Sequence, residues 1–145
     1  MPEPLLIRGR PPRSAAAALL AAEGLPVIDL TDGHLEHFFF TGSDGSPTAL
    51  VGLEMCGTDA LLRSLVVGPD ARCKGVGSAL VRHAEDYAAS CHVQAIYLLT
   101  TTAESYFERL GYRRVDRAQA PPSIRSTREF ASLCPASSAF MIKQL

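Results

Sequence analysis

A short loop at residues 72–77, Arg-Cys-Lys-Gly-Val-Gly, joins a strand-like run to a helix-like run near the middle of the chain. Residues 61–67 before it are mostly aliphatic or β-branched and lead into the turn formers at 68–70 (Gly-Pro-Asp), which is typical of a strand that ends there. After the loop, one helix face is indicated by residues spaced three and four apart: Val76, Leu80, His83, Ala84, Tyr87 and Cys91. This region therefore predicts a strand, a turn and a helix in succession, the basic unit of an α/β fold.

The loop has the composition of an anion-binding turn. Unpaired N–H groups and the positive end of the macrodipole favour a phosphate at a helix N-terminus. Gly75 and Gly77 would let the main chain approach it closely, and Arg72 and Lys74 add positive charge. Neither the P-loop nor the Gly-x-Gly-x-x-Gly fingerprint is present. Because many strand-to-helix turns use Gly for tightness alone, a purely structural turn remains open at this point.

The rest of the chain alternates strand and helix signals. Strands are predicted at residues 5–8, 36–41, 49–56, 59–67, 95–99, 112–115 and 138–143, and helices at 11–23, 75–91, 103–110 and 124–133, with a loop or short helix at 25–33. Thr100, Thr101 and Thr102 are expected to supply the N-cap of the helix from residue 103, and Gly111 its C-terminal stop. The pattern predicts one domain over residues 1–145 with a mixed sheet.

Composition argues against several functional classes. The formal charge is −1 and no run of Lys and Arg stands out, so nucleic acid is not an expected partner. No apolar stretch reaches the roughly 18 residues that would span a bilayer. An Ala-rich segment at 14–22 follows three arginines and superficially resembles a signal peptide, but an Ala-rich first helix is the simpler interpretation. We therefore expect a cytoplasmic protein.

The cysteines show no metal-site pattern. Cys56, Cys73, Cys91 and Cys134 form no Cys-x-x-Cys pair and have no regular spacing with the four histidines, which argues against a zinc site. In a reducing cytosol they would be free thiols.

The loop in its wider context resembles a known family. Arg-x-x-Gly-x-Gly at 72–77 follows a strand ending Leu-Val-Val and precedes a helix, a second strand and Leu-Gly-Tyr at 110–112; this resembles the GNAT superfamily of acetyl-CoA-dependent N-acetyltransferases. The resemblance implies an α/β GNAT fold, with a mixed central β-sheet, a splayed strand pair and helices on both faces. It also implies acetyl-CoA as co-substrate, no metal, and an amine as acceptor.

The same resemblance implies a set of cofactor contacts. The strand before the loop would pair with the pantetheine arm, the loop and the helix start would hold the pyrophosphate, and the following helix start would lie along the thiol end. The corresponding residues are Leu65, Val66 and Val67; Arg72, Cys73, Lys74, Gly75, Val76, Gly77 and Ser78; and Thr102 and Phe107.

The usual catalytic residues of the superfamily are incomplete here. Many members carry a Tyr that protonates the leaving thiolate, four residues before the Gly that ends the second helix. In this chain that position is Phe107. Tyr106, one residue earlier, would point about 100° away around the helix axis. At the start of the strand before the loop, many members carry a Glu that acts as the general base. This chain has Leu61 and Leu62 in that region. We expect Glu54 to act as base through water, and Tyr106 or Tyr112 as acid. A solvated strand carboxylate and core or rim tyrosines remain the alternatives.

Four further residues are candidates for substrate binding. Arg63 falls on an otherwise apolar strand, where a charge needs a partner or the mouth of a pocket, and we interpret it as a clamp for a carboxylate. The others are Arg125, Arg128 and His37. The two arginines lie on the helix predicted at 124–133, called the tail helix below, and His37 precedes three consecutive Phe residues at 38–40. For each of these three, simple surface exposure is the alternative.

A narrower likeness concerns the substrate. Residues 62–65, 97–104, 127–130 and 132–137 look like those of small GNAT proteins found with arsenic-resistance operons, and the tail is similar to that of short N-acetylglutamate-synthase-like enzymes. This implies an amino acid or a toxic, for example arsenic-containing, analogue as acceptor. Cys134 is either an arsenical contact or a small buried hydrophobe. A non-catalytic acetyl-CoA or arsenical sensor, acetylation of a protein N-terminus or lysine, and a homodimer through edge strands remain open.

Overall fold

The structure is a computed structural model that describes residues 6–25, 27–72, 74–133, 135 and 137–145. Its strands are β1 Arg8–Gly9, β2 Phe38–Ser43, β3 Ser46–Cys56, β4 Asp59–Val67, β5 Ala95–Thr100, β6 Arg113–Arg114 and β7 Ala139–Gln144. Its helices are α1 Arg13–Ala22, α2 Asp32–Leu35, α3 Val76–Ser90, α4 Glu104–Arg109 and α5 Pro122–Arg125, with 3-10 turns at Pro69–Ala71 and Arg117–Gln119 and a π-helical turn at Glu129–Leu133. None of these helices has the length and apolar character needed to cross a membrane.

The strands form a mixed seven-stranded sheet in the order β1-β2-β3-β4-β5-β7-β6. The pairs β1–β2, β2–β3, β5–β7 and β6–β7 are antiparallel. Strands β4 and β5 run parallel and are linked through helix α3, as a parallel crossover requires. The predicted mixed α/β fold is confirmed. The predicted splayed pair corresponds to β4 and β5, whose register covers only Asp59–Ala95, Ala60–Ile96 and Leu61–Tyr97.

The chain divides into two compact units. The first unit comprises Met1–Leu53 with Ser64–Asp86, and the second comprises Glu54–Arg63 with Tyr87–Leu145. Strands β3 and β4 each contribute residues to both units, because the unit boundaries fall inside these strands.

Helix α1 illustrates how the first unit forms its core. The helix buries Ala16 and Leu20 in a cluster that also contains, among others, Phe38, Phe40 and Leu50. At its end Gly24 takes φ +74°, and the N–H of Leu25 donates to the Leu20 carbonyl at 2.9 Å, as in a Schellman motif. The predicted stop at residue 24 is therefore a left-handed glycine.

The core of the second unit lies beside β5 and β7, which pair over six residues. Its aromatic centre is Phe140, which stacks on Tyr97 at 5.2 Å between ring centroids and meets Phe130 edge to face at 5.3 Å. Ile124 of α5 is fully buried in the same cluster. The apolar run predicted as a strand at residues 95–99 lies in β5, which is buried from Ala95 to Leu98 and half-buried at Leu99.

Several predicted boundaries are wrong. The first strand is Arg8–Gly9 rather than 5–8, with Leu5 outside the described residues, and the strand at 112–115 shrinks to Arg113–Arg114. The predicted cap of α4 is displaced, since Ala103 occupies the N-cap without a side-chain bond, while Thr100 accepts from the Ala103 N–H at 3.0 Å.

The predicted tail helix at 124–133 is also wrong, because it is two separate pieces, α5 and the π-helical turn. The hydroxyl of Thr127 donates to the Ile124 carbonyl at 2.7 Å and accepts from the Phe130 N–H at 3.4 Å. Such local side-chain bonds compete with the helical pattern and divide it.

Candidate functional site

The loop of residues 72–77 leads into helix α3, as predicted. Gly75 takes φ +73°, a left-handed conformation that side chains rarely adopt, and a Cβ there would meet no atom within 4 Å. Its carbonyl accepts from the Ala79 N–H at 3.1 Å, so the helical bonding begins at Gly75. The first N–H groups of a helix have no intrahelical acceptor. The exposed main chain at Gly75 thus fits a phosphate that approaches the start of a 15-residue helix.

One of the two cations of this loop, Arg72, has partners within the chain. The guanidinium of Arg72 pairs with Glu23, Nη2 to Oε2, at 2.7 Å, and its Nε donates to the Val67 carbonyl at 3.1 Å. Arg72 therefore ties the loop to the end of β4 and to the end of α1. Glu23 was missed because a partner 49 residues away leaves no local signal. Lys74 is exposed, whereas Cys73 lies outside the described residues.

The last residues of β4 alternate in burial. Val66 is 5% exposed and belongs to the apolar cluster of the first unit, so that only its backbone is suited to a ligand. Leu65 and Val67 are half-buried. At the helix start Val76 is buried, and Gly77 and Ser78 are half-buried.

A buried ion triad lies in the second unit, and Arg63 is its centre. The Arg63 side chain is completely buried; its Nη1 lies 2.7 Å from Oε1 of Glu54, and its Nη2 lies 3.1 Å from Oε1 of Glu129. Of the two alternatives for Arg63, a partner or the mouth of a pocket, the structure has the partner, a pair of carboxylates of the chain itself. This geometry argues against Arg63 as a clamp for a substrate carboxylate, because both terminal nitrogens already bind protein carboxylates.

Glu54 also acts on its neighbour Cys56. Burial, with the negative charges of Glu54 and Asp59 added, raises the pKa of the Cys56 thiol to about 11. The thiol donates to the Glu54 carbonyl at 3.6 Å. At neutral pH Cys56 is therefore protonated and a poor nucleophile.

The two tyrosines predicted as acids flank Phe107. Tyr106 is half-buried, with its ring 5.2 Å from that of Phe107. Tyr112 is 3% exposed, lies 5.7 Å from the Phe107 ring and has the Lys143 ammonium 5.7 Å from its own ring centroid. Phe107 itself is 6% exposed. Of the two tyrosines, Tyr106 is the more accessible to a leaving group.

A polar cavity of about 190 Å³ opens in the second unit at the end of β5. Its walls carry several hydroxyl groups and one ion pair, Arg114 with Glu104 at 3.5 Å between Nη1 and Oε1. The lining residues are Thr100, Thr101, Thr102, Glu104, Ser105, Arg114, Ser137 and Ala139. Thr102, a predicted cofactor contact, is exposed here.

The remaining predicted substrate residues lie in different surroundings. Arg125 donates from Nε to the Ala120 carbonyl at 2.9 Å and from Nη2 to the Ala118 carbonyl, so that its guanidinium supports the preceding turn. Arg128 is exposed. His37 is half-buried, and its carbonyl accepts from the Leu53 N–H at 3.0 Å.

The sequence is similar to those of known acetyltransferases. Residues 12–112 match the acetyltransferase (GNAT) family. An uncharacterized N-acetyltransferase of Chlorobaculum tepidum is 28% identical over 108 residues, which cover 72% of this chain and 69% of that protein.

Solved structures share the fold at low sequence identity. The N-acetylglutamate synthase of Neisseria gonorrhoeae, complexed with coenzyme A and N-acetyl-glutamate, aligns with TM-score 0.82 and 19% identity over 100% of this chain. The chain spans only 36% of that synthase. The Mycobacterium tuberculosis protein Rv2747, in complex with CoA and a second ligand, aligns with TM-score 0.77 and 18% identity over 97% of this chain and 99% of its own.

Proposed function

The chain belongs to the acetyltransferase (GNAT) family, and from that premise we propose that it transfers the acetyl group of acetyl-CoA to the amino group of an amino acid or a toxic amino acid analogue. The observation that carries the proposal is the start of α3. There a left-handed Gly75 with open space beside it precedes a long helix, an arrangement suited to a pyrophosphate.

The residues proposed to hold coenzyme A are among those that the family resemblance implies. The backbone of Gly75, Val76 and Gly77 and the hydroxyl of Ser78 would bind the pyrophosphate, with Lys74 as a nearby exposed cation. Leu65 and Val67, at the end of β4, would pair through their backbone with the pantetheine arm, as an added strand does. Thr102 would lie towards the thiol end.

The chemistry requires movement of two protons. Acetyl-CoA supplies an activated thioester, so that the amine nitrogen bonds to the acetyl carbon, the C–S bond breaks, and CoA leaves as the thiol. Glu54 would accept the proton that the ammonium loses before attack, directly or through water. The second proton leaves the nitrogen as the C–S bond breaks and replaces the one given to the sulfur. Tyr106 is favoured over Tyr112 as the donor to the departing sulfur, because Tyr112 is almost completely buried.

An amino acid acceptor needs a cation for its carboxylate. Arg63 is paired with two protein carboxylates and Arg125 with two backbone carbonyls, so the exposed Arg128 is the favoured tail residue for this role. His37 is a further candidate. The neisserial synthase, which is described with N-acetyl-glutamate bound, supports an amino acid as the class of acceptor.

The link to arsenic resistance rests only on the sequence likeness of residues 62–65, 97–104, 127–130 and 132–137. Among the described cysteines, the raised pKa of Cys56 makes it an unfavourable ligand for an arsenical, and Cys134 lies outside the described residues. An arsenic-containing amino acid is therefore one member of the substrate panel rather than the expected best substrate.

A thiol-release assay tests the proposed function. Purified protein with acetyl-CoA is given free amino acids, arsenical amino acid analogues, a lysine-containing peptide and a peptide with a free N-terminus. We expect turnover with a free amino acid and a lower rate with Glu54→Gln. Turnover confined to the peptides would favour protein acetylation, and CoA binding without any turnover would favour a sensor.

A further inference from the structure

We propose that Arg63 and Glu129 are positioning residues that hold Glu54 in the orientation it needs to accept the proton of the substrate. The π-helical turn at Glu129–Leu133 would then belong to the catalytic apparatus without touching the substrate. This inference rests on the proposed function, since it takes Glu54 as the base.

The first argument is the geometry of the guanidinium. An Arg fork is planar and rigid, with its donors in fixed directions. One terminal nitrogen of Arg63 bonds Glu54 at 2.7 Å and the other bonds Glu129 at 3.1 Å. Rotation of the fork about its own axis would break one of these contacts. Glu129 therefore fixes the plane of Arg63, and Arg63 fixes the direction of the Oε1 atom of Glu54.

The second argument is burial. The side chains of Arg63, Glu54 and Glu129 are 0%, 10% and 9% exposed, so that water does little to loosen the contacts. Burial of ions in this way is weak evidence for stability, because desolvation offsets the attraction. A buried ion triad of this kind contributes little stability but holds its side chains in fixed orientations. It is therefore suited to positioning Glu54.

The third argument is the backbone on both sides of the triad. Ser64, next to Arg63 in β4, is 6% exposed and takes φ +60°, which is unusual for a buried residue other than glycine. Glu129 begins a π-helical turn. Strained residues and π turns both cluster at functional sites. Here each of them adjoins one end of the Arg63 to Glu129 contact.

Arg117 offers a matched control, because it holds the same tail by other means. Its guanidinium lies 4.6 Å from the centroid of the Phe130 ring, and it donates to the carbonyls of Phe130 and Ser138 at 3.4 and 3.5 Å. Arg117→Ala should therefore loosen the tail without removing a charge that binds Arg63.

The experiment compares Glu129→Gln, Glu54→Gln, the double variant and Arg117→Ala. For each, kcat and KM for the amine, the Kd for CoA by calorimetry, and the Tm are measured. We expect Glu129→Gln to lower kcat about tenfold, the lower end of the losses seen when partners that orient metal ligands are removed, with KM and the CoA Kd unchanged. The double variant should be no slower than Glu54→Gln alone, because Glu129 acts only through Glu54. Arg117→Ala should lower the Tm and leave kcat near that of the unaltered protein.

Each contrary result has a separate meaning. An unchanged kcat in Glu129→Gln, additive losses in the double variant, or an equal loss of kcat in Arg117→Ala would overturn the positioning role and leave Glu54 as base intact. An unchanged kcat in Glu54→Gln would remove the base itself and the positioning role with it. If Glu129→Gln does not fold, Glu129→Asp replaces it; this variant keeps the charge but shortens the reach by one methylene, and an unchanged kcat would overturn the proposal.

Discussion

At the scale of single residues, the loop depends on one glycine. Gly75 and Gly57 have nearly the same left-handed φ, +73° and +71°, and neither would bring a new Cβ within 4 Å of another atom. They differ in position, since Gly75 precedes α3 and Gly57 lies in the turn between β3 and β4. The pair therefore separates backbone strain from an effect on the cofactor.

Gly75→Glu should weaken CoA binding strongly, whereas Gly57→Glu should not. Both changes place a side chain at positive φ and should lower the free energy of unfolding by about 1–2 kcal/mol. Only the first also brings a carboxylate to the proposed phosphate site, and we expect a rise in CoA Kd of more than about tenfold, which corresponds to ~1.4 kcal/mol. Calorimetric titration measures it; equal Kd values in the two variants would contradict the phosphate site.

The thiol of Cys56 provides a prediction about pH. Its pKa is raised from 9.0 to about 11 by burial, and further by Glu54 and Asp59, so that the reactive thiolate at pH 8 is about 100-fold scarcer than for an unshifted thiol. With Cys73, Cys91 and Cys134 replaced by Ser, alkylation of the folded protein should keep accelerating up to about pH 11. The urea-unfolded protein should level off near pH 9. A plateau near pH 9 in the folded protein would disprove the shift.

At the scale of elements, β2 and β3 show how closely two strands are matched. Gly52 of β3 lies opposite Phe38 of β2, which is fully buried. A Cβ on Gly52 would overlap the Phe38 ring. The aromatic ring thus occupies the space that a larger residue on the facing strand would need, and it holds this register.

Gly52→Ala should therefore destabilise the fold. The added methyl group must displace a buried ring, and overpacking of this kind costs ~1–3 kcal/mol. Gly45→Ala is the control, because a Cβ at Gly45 meets nothing within 4 Å and its φ lies outside the left-handed range. Chemical denaturation measures both variants, and a Gly52→Ala protein as stable as Gly45→Ala would show that the ring can move at little cost.

At the scale of the whole molecule, ligand binding and folding are linked. A ligand that binds only the folded chain stabilises it by about 2.7 kcal/mol at a hundredfold excess over its Kd. For a chain of 145 residues this corresponds to a rise in Tm of several degrees.

CoA should therefore raise the Tm, and pantetheine, which lacks the pyrophosphate and the adenosine 3′-phosphate, should raise it much less at the same concentration. A thermal-shift titration measures both. The Gly75→Glu variant is expected to lose most of the shift. Equal shifts by CoA and pantetheine would place the binding energy outside the loop at the start of α3.

The sequence alone determined the order of strands and helices, the loop before α3 and the family, because apolar periodicity, turn residues and the Arg-x-x-Gly-x-Gly pattern are local signals. It also required either a partner or the mouth of a pocket for Arg63. Only the tertiary structure identified that partner as Glu54 together with Glu129, paired Arg72 with Glu23 and divided the tail helix. These features depend on which side chains meet between different elements, such as Arg72 and Glu23, 49 residues apart, and on local hydroxyl bonds that override helical spacing. The apolar periodicity of a single helix or strand predicts neither the contacts between elements nor these hydroxyl bonds.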